Sequence, residues 1–142
     1  MNRESNNEAL NRLLAILTRS FPMYLMYARP YVARGDRRAM ETLEQMAADQ
    51  TQLSQRVVSF LQSNEGRIET GEFPMEFTDA NDLSVSFIVR RAIGYQRQDI
   101  AAIEQIVDDL RLFPLAAALA EEALGLAKGH LQTLEELVHE PA

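Results

Sequence analysis

Apolar residues recur every three or four positions along four long stretches of the chain, which is the spacing of a buried helical stripe. The stretches cover about residues 8–34, 37–63, 82–111 and 114–138. Four amphipathic helices are enough to enclose one hydrophobic core, and 142 residues suit a single domain. The pattern therefore predicts an all-α fold with one domain that spans residues 1–142.

The first stretch contains Pro22 and Pro30, and each proline removes an intrahelical hydrogen bond and bends a helix. Because the apolar stripe continues through both prolines, we predict one long kinked helix rather than two short ones. Residues 1–7 are polar and are predicted to be disordered.

The connections between the stretches predict how the helices are arranged. Gly35-Asp36 supplies a helix C-terminal glycine followed by an N-cap aspartate, and Leu112-Phe113-Pro114 is a second short turn. Residues 64–82 carry no helical stripe. A loop of about 18 residues reaches roughly 60 Å when extended, whereas a helix of about 27 residues is ~40 Å long. We therefore predict an antiparallel four-helix bundle with a long crossover between helices 2 and 3.

Composition narrows the function. The net charge of −7 argues against a nucleic-acid or anionic-membrane binder. The absence of cysteine excludes disulfides, thiolate metal sites and a cysteine nucleophile. The N-terminal residues lack the apolar core of a secretory signal, and the longest apolar run is too short to cross a membrane. We expect a cytoplasmic protein.

Three polar residues interrupt the apolar stripes: Gln50 in the second helix, Gln96 in the third and His130 in the fourth. His130 lies four residues after Leu126 and four before Leu134, so its side chain is expected to point into the core. A buried imidazole must be hydrogen-bonded or must bind a ligand, and the first of these is the more common outcome.

Three segments of the chain resemble the ferritin-like superfamily, and bacterioferritin most closely. The first is LNRLLAILTRSFPMYLMYAR with its inward Tyr24, the second is QTQLSQRVVSFLQSNEG, which ends at Glu65-Gly66, and the third is KGHLQTLEEL around His130. The resemblance covers most of Ala9 to Leu137 and is weakest in the third helix.

The resemblance implies a di-iron centre built from a Glu on helix one, a Glu-x-x-His on helix two, a Glu on helix three and a Glu-x-x-His on helix four. The six matching positions hold Leu17, Gln50, Leu53, either Gly94 or Gln96, Ala127 and His130. Five of the six ligands are therefore replaced, and only His130 is retained. Thr51 stands where bacterioferritin has its haem-ligating methionine. Two divalent ions without compensating carboxylates are very unfavourable in a core, so we expect no ferroxidase function and no cofactor.

The leading hypothesis is a ferritin-like protein without the di-iron centre, which acts as a non-catalytic interaction or scaffold protein. A central polar layer of Tyr24, Gln50, Gln96 and His130 is expected at the former metal position. One alternative is a metal-binding or oxidoreductase protein whose site combines His130 with Glu122, Asp99 or Asp108. Another is a small-molecule binder with a cavity between Leu17, Leu53 and Ala127.

A second apolar and aromatic face on the first helix suggests a partner surface; its residues are Met23, Met26, Tyr27 and Tyr31. We predict a homodimer through helices 1 and 2. The competing interpretation is that the crossover loop covers this face.

Overall fold

The all-α prediction is confirmed. The computed structural model describes residues 3–28, 37–69, 71–82 and 85–139, and none of these residues lies in a strand. They form α1 (Arg3–Thr18), α2 (Phe21–Ala28), α3 (Arg37–Ser63), α4 (Val85–Asp109) and α5 (Pro114–His139), with a 3-10 helix at Met75–Asp82. Within these ranges, no helix combines the length and apolar character needed to cross a bilayer.

The first predicted helix is two helices, which differs from the single kinked helix expected over 8–34. The chain breaks at Arg19 and Ser20 because Pro22 has no N–H to donate to the carbonyl of Thr18. Ser20 caps the new helix: its Oγ accepts a hydrogen bond from the backbone N–H of Met23 at 3.3 Å. Pro30 and the predicted Gly35-Asp36 turn lie outside the described residues.

The N-terminal end of α1 also differs from the expected disorder of residues 1–7. The helix begins at Arg3, and the side chain of Asn6 is buried. The backbone carbonyl of Asn7 accepts a hydrogen bond from Asn11 Nδ2 at 3.1 Å. These short polar side chains are used for packing against the rest of the chain, which a pattern of hydrophobicity does not reveal.

Helix α3 has the bounds that the sequence predicts, 37–63, and its end is well defined. The N–H of Gly66 donates to the carbonyl of Leu61 at 2.6 Å, and Glu65 adopts a left-handed conformation with φ of 57°. This is a Schellman-type end with glutamate at the left-handed position. A Cβ at Gly66 would meet Asn7 Nδ2 at 2.9 Å, so any other residue there would force the side chain of Asn7 to shift.

Contacts between helices show their relative directions. The C-terminal end of α3 lies beside Asn7 near the start of α1, and Gln50 in the middle of α3 contacts Ser20. Helices α1 and α2 therefore run antiparallel to α3. The end of α4 also lies beside α1, because Asp109 pairs with Arg12.

Three further contacts give the directions of α4 and α5. Phe21 packs on Tyr95 near the start of α4, with ring centroids 5.0 Å apart, so α4 is also antiparallel to α1 and α2. Helix α5 returns along α4 after the turn at residues 110–113. It runs antiparallel to α3, because Arg56 pairs with Glu122 and Asp49 contacts His130.

The connection between α3 and α4 follows α1 and then α2. Near its start, Asn11 Nδ2 donates to the carbonyl of Arg67 at 2.7 Å, and Asn11 Oδ1 accepts from the N–H of Glu69 at 2.9 Å. Farther along, Phe73 packs edge-on against Tyr24 with ring centroids 5.4 Å apart. The segment expected to lack helical structure contains the 3-10 helix, which buries Phe77 in the core.

The fold predicts that Asn11→Ala weakens the attachment of this connection. The variant removes both hydrogen bonds to the connection, and we expect the free energy of unfolding to fall by about 1–3 kcal/mol. Backbone amides around Arg67 and Glu69 should exchange faster with solvent, which hydrogen-exchange mass spectrometry measures. Asn64→Ala is the control, because it removes a bond only to Phe60 in its own helix. Equal exchange in both variants would contradict the role of Asn11.

Candidate functional site

A layer of buried polar side chains divides the core into two apolar clusters. One cluster contains Leu17, Leu53, Ile100 and Ala127, and the other contains Phe21, Met46, Ala92 and Leu134. Along the chain, one buried polar residue separates the members of the two clusters on each element: Ser20 just before α2, Gln50 on α3, Gln96 on α4 and His130 on α5. We call these four residues the polar layer.

Two hydrogen bonds in the polar layer join neighbouring helices. Ser20 Oγ donates to Gln50 Oε1 at 2.6 Å and links the start of α2 to α3. Gln96 Nε2 donates to the backbone carbonyl of Ala127 at 3.0 Å and links α4 to α5. Each bond offsets part of the cost of burying an amide among apolar side chains.

The third link joins α3 to α5 through Asp49 and His130. His130 Nε2 lies 2.8 Å from Asp49 Oδ2. Burial alone would raise the pKa of Asp49, but the hydrogen bonds from His130 and Gln45, with the charge of a protonated His130, hold it below its ordinary value. Because an ionised carboxylate only accepts hydrogen bonds, Nε2 is the ring nitrogen that donates. Nδ1 of the same ring is buried and has no hydrogen-bond partner among the described residues.

A small cavity lies at the level of the polar layer. It leaves about 10 Å³ for the centre of a water molecule. Apolar side chains form part of its wall, and its polar lining comes from Gln50, Gln96, Asp99 and His130. The site therefore combines two carboxamides, one carboxyl group and one imidazole around a space of the size of one water molecule.

Asp99 also lines the cavity, although the sequence pattern did not predict it as part of the polar layer. It lies three residues after Gln96 on α4, so that both side chains are on the same helix face. Burial raises the pKa of Asp99 to about 7. At neutral pH the carboxyl group is thus close to half protonated and carries less than a full negative charge.

The structure brings three of the four predicted layer residues to this cavity. Gln50, Gln96 and His130 line it, whereas Tyr24 packs one helical turn away against Phe77 with ring centroids 5.7 Å apart. Gly94 is exposed, so Gln96 is the residue of α4 that faces the centre. Ser20 was missed because a serine near a proline signals a helix cap as readily as a core contact.

The other carboxylates considered as partners of His130 lie elsewhere. Glu122 pairs with Arg56 at 2.7 Å on the surface, and Asp108 pairs with Arg111 at 3.3 Å. Among the described residues, no group of three or more histidine, aspartate or glutamate side chains is arranged to hold a metal ion.

An open groove of about 510 Å³ lies outside the cavity, between α3 and α5. Its lining includes Asp49, Arg56, Glu122 and Leu126. Leu126 also lines the central cavity, and Asp49 holds His130 from the groove side. Leu126 and the hydrogen-bonded Asp49–His130 pair therefore stand between the cavity and this groove.

Comparisons with known proteins give no relative: no protein-family model, no curated protein and no solved structure matches the chain. The function must be argued from the residues and their geometry.

The raised pKa of Asp99 predicts a pH-dependent stability. Below about pH 4 the carboxyl is protonated in both the folded and the unfolded chain. As the pH rises to about 7, the unfolded chain loses this proton while the folded chain keeps it, so the free energy of unfolding falls. We expect Asp99→Asn to remove this slope and to stabilise the protein at pH 8 by about 2–4 kcal/mol.

Urea unfolding between pH 4 and pH 8 measures this effect. The cavity is lined by two titratable groups, Asp99 on α4 and His130 on α5, while α1 contributes Ile16 and Leu17 and α3 contributes Gln50. Asp108→Asn is the control, because Asp108 is exposed on the same helix. An unchanged slope in Asp99→Asn would show that Asp99 titrates as it does in water.

Proposed function

We propose that this chain is a non-catalytic, ferritin-like four-helix bundle that acts as an interaction or scaffold protein. The observation that carries the proposal is the composition of the central cavity. Five of the six positions matched to iron ligands line it, and the only ionisable side chain among those five is His130. A cytoplasmic location is part of the same proposal.

The helix directions support a bundle with one long crossover. Helices α3 and α4 are each antiparallel to α1 and α2, so α3 and α4 run in the same direction. A connection between two parallel helices must travel the length of the bundle. Two contacts support such a path: Asn11 is hydrogen-bonded to Arg67, and Phe73 packs against Tyr27 with ring centroids 5.9 Å apart.

The ligand positions give independent support for the ferritin-like resemblance. The resemblance assigned five of them without any use of distance; for the position on the third helix it gave Gly94, and the apolar stripe gave Gln96. Five of them nevertheless line one cavity: Leu17, Gln50, Gln96, Ala127 and His130. The sixth, Leu53, is buried in the adjacent apolar cluster.

Charge and space both argue against a di-iron centre. Two divalent ions carry a charge of about +4, and the cavity lining supplies at most one negative charge, from Asp99. Paired metal ions sit about 3.5–4 Å apart, which exceeds the room for a single water molecule. The same small volume is far below the roughly 300–1,000 Å³ of a small-molecule pocket.

An isosteric charge change tests the proposal. Gln50→Glu combined with Gln96→Glu keeps the side-chain shapes and gives the cavity three carboxyl groups and an imidazole. We expect the wild-type protein to bind no Mn²⁺ or Fe²⁺ in calorimetric titrations and the double variant to bind at least one ion per chain, because carboxylate oxygens suit these metals.

The matched control is Gln55→Glu combined with Gln98→Glu, which adds the same charge at exposed positions of the same helices. Metal binding by the control would show that net charge alone is responsible. Stoichiometric binding by the wild-type protein would contradict the proposal and favour the alternative of a rearranged metal site around His130 and Asp99.

We also propose a homodimer through the first two helices of the bundle, near α2. Tyr27 is 78% exposed, which is unusual for an aromatic side chain and supports a partner surface. The connection covers part of the same face, because Phe73 contacts Tyr27. Met26 packs against the core, Thr51 donates a hydrogen bond to Met23 Sδ at 3.6 Å, and Tyr31 lies outside the described residues.

Tyr27→Glu should therefore weaken self-association. Sedimentation equilibrium is expected to give about twice the 16.1 kDa chain mass for the wild-type protein and a mass near one chain for the variant. Gln132→Glu, an exposed change on α5, should leave the mass unchanged. A monomeric wild-type protein at high concentration would exclude the dimer.

A further inference from the structure

The unpartnered Nδ1 of His130 needs an explanation that the scaffold proposal does not provide. The side chain is about nine-tenths buried, and its other ring nitrogen is committed to Asp49. A buried nitrogen acceptor without a hydrogen bond is costly, and native proteins satisfy nearly all such groups with protein or with ordered water. His130 lines the central cavity, so a partner located there would satisfy the ring.

The size and polarity of the cavity select the partner. One water molecule needs roughly 10–15 Å³ for its centre and two to four polar neighbours, whereas apolar cavities of similar size stay dry. This cavity offers about 10 Å³ with His130, Asp99, Gln50 and Gln96 in its wall. A larger polar ligand does not fit.

We propose that the central cavity is a hydration site that holds a single water molecule, which donates a hydrogen bond to His130 Nδ1 and bridges to Asp99 and the two glutamines. When the imidazole is neutral, Asp49 makes this possible, because it keeps the single ring proton on Nε2 and leaves Nδ1 as an acceptor. The water would then join side chains from α3, α4 and α5 in one network. The inference goes beyond the scaffold function, since such a site could stabilise a helical core with any role.

The polar groups that line the cavity favour a water molecule over a cation. Gln50 Oε1 is occupied by the Ser20 hydroxyl, and Gln96 donates its amide to Ala127. The cavity thus lacks the several free anionic oxygens that a divalent ion requires. Water can both donate to Nδ1 and accept from the protonated Asp99 carboxyl, so it suits both neighbours.

The groove between α3 and α5 supplies the route of exchange. Leu126 is the side chain common to the groove and the cavity, and the Asp49–His130 pair closes the wall beside it. Exchange of the water through this groove therefore requires movement of Leu126 or opening of this pair. A shorter side chain at this position should accelerate exchange without removing any polar contact.

The test uses the full-length protein and three observations on the wild type. Nitrogen-15 spectra of the imidazole should show a proton on Nε2 and an accepted hydrogen bond at Nδ1. Cross-relaxation between water and the His130 ring should show a long-lived bound water. A high-resolution crystal structure should place one water within about 2.7–3.2 Å of Nδ1.

Variants distinguish a specific site from general hydration. Ala123→Val adds volume to the cavity wall and should abolish the bound-water signal, while the control Ala118→Val, on the exposed side of the same helix, should leave it unchanged. Leu126→Ala should shorten the residence time by about tenfold, because local opening limits the exchange of buried waters. If Ala123→Val does not fold, the wild-type measurements and Leu126→Ala decide the question.

The two proposals fail in different ways. A dry cavity in the wild-type protein, or a ring protonated at Nδ1 alone, overturns the hydration site and leaves the scaffold function intact. A metal ion bound to Nδ1, identified by anomalous scattering, overturns both.

Discussion

A polar side chain that leaves water for a helical core costs free energy unless a partner in the core replaces its lost hydrogen bonds, and the centre of this protein is organised by that requirement. Ser20 and Gln50 satisfy each other, Gln96 uses the carbonyl of Ala127, and His130 uses Asp49. Every one of these bonds crosses from one helix to another. A shift of α2, α3, α4 or α5 along its partner would break at least one bond, and we propose that the polar layer fixes the axial register of these helices.

The connection between α3 and α4 contributes to the core as well as joining two helices. Its aromatic side chains complete the cluster around α2, where Phe77 packs on Phe21 with ring centroids 5.2 Å apart and Phe73 packs on Tyr24. Arg19 adds a cation–π contact, with its guanidinium carbon 5.1 Å from the centre of the Phe73 ring. The fully buried part of the other cluster is built from aliphatic side chains and alanines, and Phe60 and Phe113 pack against its edge.

The spacing of apolar residues predicts the bounds of a helix where a proline or a change of pattern marks its ends. The bounds of α3 agree with the prediction, and α5 begins at Pro114 as expected, because a proline at the first turn and a change of pattern mark these positions. The break before Pro22 was not predicted, since two short helices that share one buried face give the same stripe as a single helix. Tyr24 shares that stripe with Ser20, but a stripe does not show at which level of the core each residue lies.

The remaining features of the site depend on residues that are far apart in the sequence. Gln50, Gln96 and His130 stand out as polar residues among apolar ones, and the cavity brings them together. Asp49 is partly exposed and resembles any surface carboxylate, and its bond to His130 joins residues 81 positions apart. The raised pKa of Asp99 depends on burial by several helices at once. Neither property has a local signature in the chain.

The central claim is that the core of this protein is held together without metal. Elemental analysis of protein purified without chelators, with its solution mass determined on the same sample, tests this claim most directly. The account predicts far less than one equivalent of iron, manganese or zinc per chain, before and after exposure to Fe²⁺ under anaerobic conditions. One or two equivalents per chain that are lost on His130→Ala would contradict it.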